Sequence, residues 1–461
     1  MWDGWRRLWH AIAYAVMTEA IEAGEGEAAV VEWIAANIGP VVRISRQGRW
    51  RPAWFVLAER DGVRLELYVR GARGASFPPM PLSYEAEVLA VFAEEGIRVP
   101  KVFGFIPAIP AIVMERVPGR PNIATAESDV IRGQLRKQLA DEMRKIHAIA
   151  PQRLETIGAP NSDDRREAGL LPYRAIEQLY LNGDRLPSPD VEFVRRWIDR
   201  NIPDCEEGPA VITVDAGQFL FDGDRLTGMV DLELACIGDR HIDMAALRTR
   251  DRIEEIGDLE EFYDLYHQMG GIKLDRDRIA FHWVTFAMMV PLQIAHDLAH
   301  PKGNAQYHEY LGWHARAMDD TLKDIARIIR IELPDYALPP AAPGRAGMLL
   351  EAMISVVDDM LATDDYQHYR RQDLSLALKY AMDTSARQTS LEQEYLDELE
   401  GLTGVRPRSA WEGDVQLCQF LETAGPELDG PILSILYRRN LRVNLILRMH
   451  SLRRREGKEQ E

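Results

Sequence analysis

The chain has 461 residues, 46% of them hydrophobic and 28% charged, and a formal net charge of -18. That length exceeds one ordinary core, so roughly two to four packing units are expected, and the apolar content excludes a disordered tail. So acidic a surface repels polyanions, which sets nucleic acid aside as a partner, and Cys205, Cys236 and Cys418 are too scattered for a disulfide framework or a zinc site.

Residues 1–40 read as an N-terminal helical segment. Its opening run is interrupted by His10 and passes into Glu19, Glu22 and Glu25, which fits an amphipathic helix and not a signal peptide. No stretch reaches the roughly 20 apolar residues that span a bilayer, so no membrane association is expected and the chain is placed in the cytoplasm. Residues 41–119 form a β-rich unit: strand, strand, strand, helix, strand, strand. VVRIS, AWFVLAE and VRLELYVR are its first strands, the last two joined by the hairpin signal Asp61-Gly62. SYEAEVLAVFAEEG has helical period and stops at Gly96; VPKVFGFIP and PAIVMERVPG follow as strands.

After Pro118-Gly119 the chain is mainly helical, from residue 120 to 335. VIRGQLRKQLADEMRKIHAI and VEFVRRWIDRNI are amphipathic helices. Compact strands VITVD, FLFD and LTGMVDLE interrupt them, and helices resume at HIDMAALRTR. Residues 336–347 are a linker rich in Pro, Ala and Gly. Residues 348–461 read as a separate all-helical module of ordinary domain size. Arg438, Arg439, Arg442 and Arg448 there form a basic helix face expected to pair with acidic neighbours.

The most informative segment is 211–247, VITVDAGQFLFDGDRLTGMVDLELACIGDRHIDMAAL. It resembles the catalytic segment of the aminoglycoside phosphotransferase/choline kinase-like family, which reads His-Gly-Asp, a short loop, Asn, an apolar strand, a turn, Ile-Asp-Trp-Glu and Gly-Asp-x-x-x-Asp-Leu-Ala. Gln218 and the strand after it, the strand leading to Asp231 and Glu233, and Gly238-Asp239 with Asp243-Met244-Ala245 carry the likeness. The resemblance spans about residues 25–335. It implies an α+β, two-lobed protein-kinase-like fold, to which the C-terminal all-helical module is added.

It also implies chemistry: transfer of the γ-phosphate of ATP (or GTP), with Mg²⁺, to a hydroxyl of a small-molecule acceptor. In that reading Asp215 is the catalytic carboxylate, and Asp231 with Gln218 holds the metal. Arg70, at the end of the third strand, grips phosphate while Glu85 orients it, and Met114, Glu115 and Arg116 line the nucleotide base. Glu233 sits at the cleft edge, Asp239 caps the next helix, Asp243 anchors the loop through backbone N–H groups, and His147 is a packing histidine. The helical module offers a surface for a homo-oligomer or a protein partner.

Three departures open a second reading, a catalytically reduced kinase-like protein that binds a nucleotide or ligand. Thr213-Val214-Asp215 stands for His-Gly-Asp. Gln218 follows Asp215 by three residues where the family Asn follows by five, a loss of up to about 7 Å of reach. Without a gap, Thr213 falls at the catalytic position instead. The phosphate loop ISRQGRWRPAW has the single glycine Gly48, with Arg46, Arg49 and Arg51 as compensating charge.

Overall fold

The computed structural model describes residues 23–48, 51–72, 80–251, 254–301 and 307–458. The expected helix over residues 1–20, and Arg49, lie outside them. The chain divides into two compact units, one from residues up to Gln178 and Ile202–Phe286, the other from Leu179–Asn201 and Ala287 onward.

In the first unit, α1 (Ala23–Asn37) leads into β1 (Val41–Arg46), β2 (Ala53–Arg60), β3 (Val63–Gly71), α2 (Leu82–Glu94), β4 (Val102–Ile106) and β5 (Ala111–Glu115). The five strands form one antiparallel sheet in the order β1-β2-β3-β5-β4. Asp61 and Gly62 take φ of 52° and 76° between β2 and β3, the paired left-handed conformation that a two-residue hairpin needs. Alternation along the strands sorts the faces. Trp54, Val56, Leu67, Val69 and Val113 share a core with Val30 and Ile34 of α1. A fully buried side chain of this kind contributes about 1.5–3 kcal/mol. Arg70 is therefore on the opposite face from Val69, where Glu85 of α2 meets it.

The helical part of this unit contains α3 (Asp129–Ala148), the single turns α4 (Gln152–Glu155) and α5 (Arg165–Ala168), and the start of α6 (Leu171–Asn182). α3 is started by Ser128, whose hydroxyl accepts from the Ile131 N–H. After α7 (Pro189–Arg200), two small antiparallel ladders follow: β6 (Ala210–Ile212) with β9 (Cys236–Gly238), and β7 (Phe219–Asp222) with β8 (Arg225–Met229). Then come α8 (Arg240–Asp251), α9 (Leu259–Gln268) and the first part of α10 (Arg276–Ala299).

The second unit is helical. Besides α7 and the rest of α10 it holds α11 (Tyr307–Ile329), α12 (Arg345–Asp358), α13 (Asp365–Ser385), α14 (Gln388–Thr403), α15 (Ala410–Leu421) and α16 (Asp429–Lys458). The boundary read from the sequence at 336–347 is not where the units part. α16 turns back onto α11, with Asn440 and Asn444 both donating to the Ala315 carbonyl at 3.0 and 2.7 Å, so 287–335 group with the module. The basic face pairs as expected: Arg438 and Arg442 with Glu398, Arg439 with Asp414, Arg448 with Asp319. One correction concerns α10. Among the described residues it is the one helix long and apolar enough to cross a membrane, although 72% of its apolar window is buried inside the protein.

Candidate active site

The first unit gathers the sequence-derived residues between its sheet and its helical part. Arg70, 5% exposed, donates through Nε to Glu85 Oε2 at 3.0 Å and through Nη2 to Asp231, with Glu233 Oε2 at 3.1 Å. It is not a solvated strand-end cation. Burial opposes its charge, yet Asp231, Glu85 and Glu233 hold its pKa well above the ordinary value. Burial likewise pushes Glu85 up, and Arg70 pulls it back.

Glu233 is a correction. It is not at the cleft edge but 6% exposed, and Arg51 donates to it. Arg51 thus runs from the β1–β2 connection, expected to hold phosphates, to the strand-end segment that carries Asp231. These five side chains place three carboxylates against two guanidiniums, an arrangement that keeps buried charge paired.

Asp231 has φ 60°, a left-handed conformation that costs a non-glycine residue energy and recurs at functional sites. β8 consequently stops at Met229, short of the strand end expected at Asp231. Tyr84 ties α2 to the same segment through a 3.0 Å bond to the Ala235 carbonyl.

The loop before β7 is built around Asp243. This fully buried carboxylate accepts from the Val214 N–H at 2.7 Å, the Thr213 N–H at 3.0 Å and the Thr213 hydroxyl at 3.1 Å. The anchoring role read from the sequence is therefore what the geometry has. His147 does more than pack: its Nε2 lies 3.1 Å from Asp243 and its Nδ1 2.8 Å from the Tyr266 hydroxyl. With its hydroxyl spent on Asp243 and 2% exposure, Thr213 faces inward, so the ungapped alignment that makes it the catalytic position loses its geometric basis.

Asp215 faces outward from this anchor. Its Oδ2 accepts from Gln218 Nε2 at 2.5 Å and from Arg250 Nη2 at 2.8 Å. Burial raises its pKa, Arg250 lowers it, and nearby Asp231 raises it again. The short loop closes because Val214 and Gly217 take φ of 66° and 84°. A Cβ on Gly217 would also sit 3.0 Å from the Leu247 side chain. The two-residue contraction thus does not separate Gln218 from Asp215. Arg250, in the last turn of α8, escaped sequence reading because no spacing marks a cation 35 residues downstream as a partner.

Asp239 caps α8, accepting from the His241 N–H at 2.9 Å. It also takes His241 Nδ1 at 2.6 Å, Arg278 and His282, so it is a buried charge hub that the sequence showed only as a cap.

Around Met114, Glu115 and Arg116 the expectation narrows. Met114 is paired within β5 to Tyr68 and Val102. The Glu115 N–H donates to the Lys101 carbonyl at 2.8 Å and the Arg116 N–H to that of Glu66 at 3.0 Å. The Arg116 guanidinium stacks on Phe55 at 4.3 Å. Both amide donors are spent within the sheet, which leaves carbonyl oxygens and the following residues to meet a base. Gly119 then turns the chain at φ 120°, where a Cβ would lie 2.4 Å from the Phe221 carbonyl oxygen.

No cluster of three or more His, Cys, Asp or Glu suited to a metal occurs among the described residues. One carboxylate and one amide, as Asp231 and Gln218 supply, nonetheless match what Mg²⁺ takes from a protein when water and phosphate complete its shell.

The model of the phosphotransferase enzyme family matches residues 41–282, more than half of the chain. This protein belongs to the phosphotransferase enzyme family. Its antiparallel sheet with α2 and the helical part behind it make the two-lobed, protein-kinase-like fold. Three solved structures are similar to this family member. Choline kinase from Streptococcus pneumoniae has 16% identity and TM-score 0.47, covering 65% of this chain and 98% of its own. Macrolide 2'-phosphotransferase from Brachybacterium faecium has 16% and 0.44, covering 63% and 97%. An aminoglycoside phosphotransferase from Streptomyces rimosus, solved with ADP and streptomycin, has 17% and 0.43, covering 59% and 99%. No curated protein matches the chain.

Proposed function

We propose that this family member transfers the γ-phosphate of ATP (or GTP) to a hydroxyl group of a small molecule, with Asp215 orienting that hydroxyl and accepting its proton. The observation that carries this is a chain of contacts: Gln218 donates to Asp215, the Val230 N–H donates to the Gln218 carbonyl at 2.9 Å, and the next residue, Asp231, binds Arg70 of the Arg70–Glu85 pair. Phosphoryl transfer asks little covalent chemistry of a protein; it needs held phosphates and an oriented nucleophile. Arg70 offers a planar fork suited to phosphate oxygens, and Arg51 adds a second guanidinium. Asp231 and Gln218 would hold Mg²⁺, which when bound supplies positive charge to the phosphate oxygens.

One observation favours the catalytically reduced alternative: Asp215 Oδ2 already accepts from both Gln218 and Arg250. Nucleotide titration with and without Mg²⁺, followed by a screen of hydroxyl acceptors, separates the two. Mg²⁺-dependent binding with transfer supports the enzyme, and binding with no transfer across the screen supports the reduced protein. Absence of nucleotide binding rejects both as nucleotide proteins.

A further inference from the structure

We infer that the chain forms a two-fold dimer through α12, its partner being a second copy of α12 packed antiparallel. Helix α12 packs by one side: its buried residues are Ile354 and Val357, which sit on the stripe turned toward α13. At 100° per residue the opposite side of the helix is centred on Ala352. Arg345, Met348, Leu349, Ala352, Ser355, Val356 and Asp359 all fall within about 60° of that line, and every one of them is exposed. Met348 is 67% exposed, Leu349 62% and Val356 66%. A contiguous apolar face of this kind on a soluble chain marks an interaction site.

The occupant follows from the symmetry of the face. An antiparallel copy crossing at Ala352 sets residues equally far either side of 352 against each other. Met348 then meets Val356, and Arg345 meets Asp359, each pair formed twice, as an isologous contact requires. The small Ala352 at the crossing lets the backbones approach. Two charges on this face suit a partner better than the helix itself. Arg345 in the N-terminal turn and Asp359 at the C-terminal cap oppose the helix dipole, whereas an antiparallel copy brings each into register with its opposite. A helix of 14 residues buries less area than a standard interface, so the dimer should be weak and concentration-dependent. This inference does not rest on the catalytic reading.

Sedimentation velocity of the full chain over a micromolar concentration series is the test. The expected result is a monomer–dimer equilibrium that Ala352→Glu abolishes. Arg345→Glu sets like charges across the interface and should weaken association at least about tenfold. Adding Asp359→Arg to it restores opposite charges in a homodimer alone, and should recover association. A chain monomeric at every concentration overturns the inference, whether the face is then bare or covered by something else. So does a dimer indifferent to Ala352→Glu, or a charge-reversed pair that fails to recover while its circular dichroism matches that of the parent chain.

Discussion

At the candidate site Arg250 donates to Asp215, and Asp243 anchors the two residues that precede Asp215. Asp243 satisfies two buried N–H groups and a hydroxyl at once, and a buried donor left without an acceptor costs about 1–3 kcal/mol. Asp243→Ala should therefore lower unfolding free energy by about 3 kcal/mol or more, read from urea midpoints at unchanged slope. Arg250 acts through Asp215, by holding its carboxylate in place. If that is its work, Arg250→Ala should cut turnover about tenfold or more with nucleotide affinity little changed, and Arg250→Lys should recover part of it, since a carboxylate positioned by a cation tolerates a shorter donor better than none. Equal loss in both variants would point to a structural role. Asp215, Gln218, Asp231 and Asp243 were legible because they occur in an ordered motif. Arg250 and the pairing of Arg51 with Glu233 were not, because ion pairs between distant segments leave no mark in local spacing.

At the level of elements, strand β3 and helix α2 are joined through Arg70. Replacing it by Met leaves Glu85, Asp231 and Glu233 facing one another without their shared cation. The expected cost is about 3–5 kcal/mol, the usual loss when one member of a buried charged group is removed, together with loss of nucleotide affinity; a stable Arg70→Met protein would contradict the network. The start of α8 carries the pH dependence. Burial works to raise the Asp239 pKa, but His282 and His241 override it and hold it below the usual carboxylate range. A carboxylate depressed in the folded state contributes its full stability above its unfolded value, about 3.9, and loses it as pH falls below. The stability gap between the parent and Asp239→Asn should thus be about 3–5 kcal/mol at neutral pH and narrow below about pH 4. A gap that widens on acidification would reverse the sign of the argument. The strands of 41–119 were readable from alternation and the Asp61-Gly62 turn. The three-residue β9 was not, since Cys236–Gly238 is too short to show a period.

For the whole molecule, the division into two units was the least legible feature. The Pro- and Ala-rich stretch at 336–347 has the composition of a linker, yet linker composition reports local backbone freedom and not which helices pack together. The return of α16 onto α11 groups residues on both sides of that stretch. The family match ends at residue 282, so the second unit lies outside it except for Leu179–Asn201, and its exposed α12 face is a property of the added helices. The central claim, that Asp215 serves phosphoryl transfer despite Thr213 and the contracted loop, is tested most directly by following labelled γ-phosphate from ATP into a panel of hydroxyl acceptors, with the parent chain and Asp215→Asn side by side. The expected result is a labelled acceptor with the parent chain and a loss of at least about 100-fold in the variant, the usual scale for a removed proton acceptor, at matched nucleotide affinity. Full transfer by Asp215→Asn, or none by a parent chain that binds the nucleotide, would contradict it.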